Sequence, residues 1–110
     1  MTTLRELEAT FLKCEDGGKA FRRVATIGEA DGVEFLCPVC FAANRGPVGT
    51  HGVICWAPSV QQSVRPGPGR WSLQGSSLDD LTLVAPSSSI ALKSGCAAHF
   101  FVQSGKIVGA

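Results

Sequence analysis

Val33-Glu34-Phe35-Leu36-Cys37-Pro38-Val39-Cys40 is the stretch on which the reading of this chain turns. Its first four residues read as a short strand, and that strand runs directly into a C-x-x-C pair. Two thiolates at this spacing can bind one ion, because the turn between them points both sulfurs inward. With plentiful Gly and Pro and short strand-like runs on either side, this stretch reads as part of a small, turn-rich domain of mostly antiparallel strands.

The sequence upstream agrees. Glu15-Asp16-Gly17-Gly18 reads as a turn and Ala20 to Ala25 as a strand. Thr26-Ile27-Gly28-Glu29 has capping-box spacing, with Gly32 able to end a single helical turn. Thr3 to Lys13 is ambiguous. Thr3 and Glu6 have capping-box spacing and Leu4, Leu7 and Phe11 repeat helically, yet Leu7, Ala9 and Phe11 also alternate as in a half-buried strand. The β-rich remainder favours the strand.

Downstream, Val53 to Ala57 reads as a buried strand. Pro58 to Ser77 is rich in Gly, Pro, Ser and Gln and reads as one long loop, its far end pinned by Trp71. Strands then follow at 81–84, 89–92, 98–103 and 106–108. Ser104-Gly105 makes a closing hairpin of the last two. The expected class is a single α+β domain over residues 1–110, mostly antiparallel β and zinc-stabilised, with a long Pro/Gly loop at 58–77.

Composition narrows the function. With 110 residues there is room for one core, and 45% hydrophobic residues suffice to build it. Ten basic against nine acidic residues leave a net charge of +1, which argues against general nucleic-acid binding. Arg22-Arg23, Arg65 and Arg70 are expected to be solvated. No apolar run reaches the ~20 residues of a membrane span, and the N-terminal residues lack a secretory signal pattern. A cytoplasmic setting follows, where five cysteines favour metal ligands or buried thiols over disulfides.

Six candidate ligands are present: Cys37 and Cys40, His51 and Cys55, and Cys96 and His99 in a C-x-x-H pair. Tetrahedral zinc needs four, so some of these groups serve another purpose. Cys37, Cys40 and Cys96 lead, with Cys55 or His51 as the fourth. Cys55 within Ile54-Cys55-Trp56 also reads as an inert core thiol, His51 as an idle loop residue, and Cys14 as an edge or surface thiol. A thioredoxin-like redox pair is disfavoured because no strand-to-helix setting is visible after Cys40.

The series Cys37-Pro38-Val39-Cys40, Trp71, Leu81-Thr82-Leu83, Ser89-Ile90, Gly95-Cys96-Ala97-Ala98-His99-Phe100-Phe101-Val102 and Gly105 resembles a small family of phage and prophage proteins. Relatives of that family accompany bacterial ubiquitin-like conjugation genes, the Bub operons, and are proposed to be serine peptidases acting on the ubiquitin-like protein. The resemblance implies Ser89 as nucleophile and His99 as general base; structural zinc at Cys37, Cys40, Cys96 and one of Cys55 or His51 would leave His99 free for that role. The family usually has Pro directly before its serine, whereas here Pro86 precedes Ser87-Ser88-Ser89, so Ser87 competes with Ser89. A serine hydroxyl needs a base within ~3 Å, so a Ser–His dyad on facing strands would suffice. Asp79 or Asp80 could orient His99 or simply cap a turn, and amides at Ser94-Gly95 could serve an oxyanion. The function implied is a zinc-stabilised serine hydrolase or peptidase acting on a ubiquitin-like or other protein tail. The alternative is a non-catalytic, zinc-ribbon-like phage accessory or interaction module, in which His99 completes the metal site. A zinc hydrolase with an open coordination position ranks third, since thiolate-rich sites are usually closed.

Overall fold

The computed structural model describes residues 2–66, 69–85, 89–92 and 98–109. Strands β1 (Thr10–Glu15), β2 (Ala20–Val24), β3 (Gly32–Leu36) and β4 (Gly52–Trp56) form an antiparallel sheet in the order β2-β1-β3-β4. A helix, α1 (Pro38–Asn44), sits between β3 and β4. Strands β5 (Ser72–Gln74) and β6 (Thr82–Val84) pair with each other, and β7 (Ile90–Ala91), β8 (His99–Gln103) and β9 (Lys106–Gly109) form a three-stranded sheet.

Strand alternation sorts the four-stranded sheet into two faces. Phe11, Val33, Phe35, Val53 and Cys55 point into the main core, where they meet Leu81, Leu83, Ile90, Phe100 and Val102 from the other sheets. Phe35 and Phe100 pack edge to face, with ring centroids 6.0 Å apart. Leu12 and Trp56 point the other way and are covered by Val60 and Val64 of the loop. Each such side chain, fully buried, stabilises the fold by about 1.5–3 kcal/mol.

Three expectations need correction. The segment 3–13 is not one strand. Residues 4–8 form turns in which the Thr3 hydroxyl accepts from the Glu6 amide at 3.2 Å, and the strand begins at Thr10. Here the capping-box spacing acts locally, while Leu4 and Leu7 are driven into the core. The loop expected over 58–77 contains β5, because Leu73 pairs with Leu83 and packs against the core. Trp71 does pin the loop's end, its amide donating to the Trp56 carbonyl at 3.0 Å. Finally, a helix does follow Cys37. It joins β3 to an antiparallel β4, so the crossover of a parallel βαβ unit is absent.

Arg70 also departs from expectation. Instead of being solvated, its guanidinium donates to the carbonyls of Val60, Gln61, Val64, Pro66 and Gly69 at 2.6–3.1 Å. One side chain thereby satisfies backbone groups that regular structure would otherwise pair. Arg22 and Arg23 behave more as expected, standing exposed and pairing with Glu15 and with the half-buried Glu34. Cys14 lies half-buried on β1, an inner strand rather than an edge.

Candidate metal centre

The junction of β3, α1 and β4 is built by backbone chemistry. Cys37 has extended φ/ψ and caps α1, its carbonyl accepting from the Phe41 amide at 2.9 Å. Pro38 occupies the first helical position, where a missing N–H costs nothing and the fixed φ already suits a helix. The helix stops at Arg45, which is left-handed at φ 57°, and Gly46 returns its amide to the Phe41 carbonyl at 3.0 Å. Thr50 then donates its hydroxyl to the Gly46 carbonyl at 2.8 Å and accepts from the Asn44 amide side chain at 3.2 Å. These bonds fix the turn that leads into His51. The Cys37 amide closes the ring by donating to the His51 carbonyl at 2.9 Å.

The result is a Cys₂His group. One ligand atom each from Cys37, Cys40 and His51 lies within 4.8 Å of the others, with Cys37 buried, Cys40 half-buried and His51 exposed. Zn–S bonds of ~2.3 Å and Zn–N bonds of ~2.0 Å place donor atoms of a tetrahedron roughly 3.5 Å apart. Small side-chain rotations therefore suffice for these three residues to hold a metal ion. His51 Nδ1 is 3.3 Å from the Gly52 carbonyl. A neutral ring donating there presents its Nε2 lone pair to a metal.

The other expected site residues are distributed differently. Cys55, on β4, is fully buried among core side chains, and burial pushes its thiol pKa up, favouring the protonated form. It is His51, not Cys55, that the structure brings to the two knuckle cysteines. Cys96, Ser87 and the Ser94-Gly95 turn lie outside the described residues. Ser89 is half-buried just ahead of β7, and His99 opens β8 on its exposed side, opposite Ala91. Ser89 thus stands one residue ahead of the paired β7, while His99 is paired within β8.

Asp79 and Asp80 are engaged elsewhere. The Arg5 guanidinium donates to both Asp79 oxygens and holds that carboxyl below its usual range. Asp80 takes the turn-capping role, accepting from the Ser77 and Ser76 amides and the Ser76 hydroxyl at 2.8 Å each.

An open recess of about 250 Å³ adjoins the metal group through Leu36 and Gly52, the chain neighbours of Cys37 and His51. Glu8, Glu34 and Arg23 line it, giving it a charged character unlike the apolar clefts that usually bind small molecules. Ser89 and His99 line neither this recess nor the one beside Cys14. Sequence reasoning left His51 and Cys55 as alternatives for the fourth ligand. What singles it out is the thirteen-residue connection from Cys37, turned by Gly46, Pro47 and Gly49 so that it returns to the knuckle. Among the described residues no helix is long and apolar enough to cross a membrane. Comparison with known protein families, curated proteins and solved structures gives no match.

Proposed function

We propose that this chain is a zinc-stabilised interaction module, in which Cys37, Cys40 and His51 hold a structural ion. The observation that carries this reading is the convergence of three soft or borderline ligands on one point within 4.8 Å. Two thiolates and an imidazole suit zinc better than calcium or magnesium, which take oxygen ligands. Cys96 is the proposed fourth ligand. It stands two residues before Ala98, which packs in the same core as Cys37. A closed Cys₃His set is a structural one. The ion would tie α1 and the turn 45–51 to the end of β3, which matters because a seven-residue helix has little stability of its own. A chelator should therefore lower the unfolding midpoint reversibly, and equimolar zinc should restore it. An unchanged midpoint, with zinc shown to be removed, would exclude a structural role.

A second reading follows the family resemblance: a serine hydrolase with Ser89 and His99 as its dyad, related to the peptidases of the Bub operons. It is favoured by the position of His99, which stands exposed on β8 and outside the Cys₂His group. This reading requires the Ser89 hydroxyl within ~3 Å of the His99 ring for proton transfer. A fluorophosphonate should label Ser89 in the zinc-loaded protein and fail with Ser89→Ala and His99→Ala. Absence of labelling on the intact protein would leave the interaction module alone.

A further inference from the structure

We infer that the proposed metal centre is also a peroxide-responsive switch, in which oxidation of Cys40 and then Cys37 expels the ion. This rests on the metal reading above and adds how the site is regulated. Three observations support it. The sulfurs belong to residues three apart and already lie within 4.8 Å of each other, so a disulfide needs side-chain rotation and no rearrangement of sheets. Their exposure is asymmetric: Cys40 is half-buried at the surface, whereas Cys37 is fully buried behind it. A small oxidant therefore meets Cys40 first, and Cys37 is placed as the resolving thiol. The remaining described cysteines compete poorly, since Cys55 is sealed in the core as a thiol and Cys14 has no second cysteine in its recess.

The chemistry balances with hydrogen peroxide as the named oxidant. The Cys40 thiolate attacks one peroxide oxygen, the O–O bond breaks, and Cys40 becomes a sulfenic acid while hydroxide leaves and is protonated to water. The Cys37 thiolate then attacks the Cys40 sulfur, the S–S bond forms, and the sulfenic hydroxyl leaves as a second water. Two sulfurs give up two electrons, peroxide takes them, and two protons are consumed. A disulfide has no thiolate charge left to hold the metal, so the ion departs with its two sulfur ligands lost.

The structural consequence is confined to one corner. With the ion gone, α1 and the turn 45–51 lose the tie between the knuckle and His51 and keep the hydrogen bonds of the turn and the packing of Phe41 on the core. This segment already displays Val39 at 47% and Val48 at 87% exposure, and Arg45 is its sole charged side chain. Oxidation thus changes the shape of a corner that exposes Val39 and Val48 while leaving the sheets paired.

The test uses the full chain loaded with zinc and treated with stoichiometric hydrogen peroxide. Native mass spectrometry should show one zinc released for each molecule that loses two hydrogens, and peptide mapping should find a Cys37–Cys40 disulfide. Amide exchange should rise in residues 38–51 and stay low in β1 and β8. Thiol reductant with added zinc should reverse all three changes, and Cys14→Ser should respond as wild type. Zinc retained after peroxide, or a disulfide from Cys40 to Cys14 or Cys96, would overturn the switch while sparing the metal site. A chain with no zinc before peroxide is added would overturn both.

Discussion

Arg70 shows how much a single side chain can organise. Its planar fork matches five carbonyl acceptors, which the point charge of a lysine cannot do. Arg70→Lys keeps the charge and should still cost about 2 kcal/mol, with faster amide exchange across residues 58–66. Normal exchange in the variant would mean that Val60 and Val64 alone hold the loop. Cys55 makes a second residue-level case. Cys55→Ser places a hydroxyl in the core and should cost about 1–3 kcal/mol while the protein keeps its zinc. Asp80 contributes to acid behaviour. Hydrogen bonds from the Ser77 amide, the Ser76 amide and the Ser76 hydroxyl lower its pKa in the folded state. A depressed folded pKa gives stability that is present above the ordinary carboxylate pKa and lost as pH falls through the lowered value. Asp80→Asn should flatten the acid limb of an unfolding midpoint measured against pH. An unchanged limb would assign it to other carboxylates.

Among the elements, strands were more legible than the helix. Residues 20–25, 33–36, 53–57 and 106–108 announce themselves by apolar and β-branched runs between Gly-rich turns, and the structure has β2, β3, β4 and β9 there. Ser104-Gly105 turns the last hairpin as read, with φ of 50° and 75°. α1 was not legible because it is short, carries no side-chain cap and shows no helical hydrophobic period. It forms because Pro38 pre-sets its start and Gly46 permits its exit. For the same reason the choice between His51 and Cys55 stayed open in the sequence. Both lie on the return path, and only the turn geometry of 45–51 brings one of them back to the knuckle. β5 was hidden by the Gly, Pro and Ser around it, since a three-residue strand carries almost no periodic signal.

At the scale of the molecule, three small sheets share one core, and long-range pairing joins the ends of the chain. Thr3 bridges to Lys106, and Gly105 donates its amide to the Leu81 carbonyl while accepting from Leu4. Gly105 is at φ 75°, and a Cβ there would come within 2.3 Å of the Asp79 carbonyl oxygen. Gly105→Ala should therefore loosen the contact between N-terminus, β6 and β9 at a cost of about 1–3 kcal/mol. A neutral substitution would show that the β8–β9 turn is dispensable to the core. The metal group sits away from this junction, at the other end of the chain's folding problem. There a short helix reaches the core through Pro38 and Phe41, and the proposed ion would add a tie between the knuckle and the polar turn that leads to His51.

Native mass spectrometry of the purified chain and its His51→Ala, Cys55→Ser and His99→Ala variants bears most directly on that claim. One zinc should be bound by the wild type, by Cys55→Ser and by His99→Ala, and it should be lost or greatly weakened in His51→Ala. Zinc kept by His51→Ala but lost from Cys55→Ser or His99→Ala would contradict the Cys37, Cys40 and His51 centre.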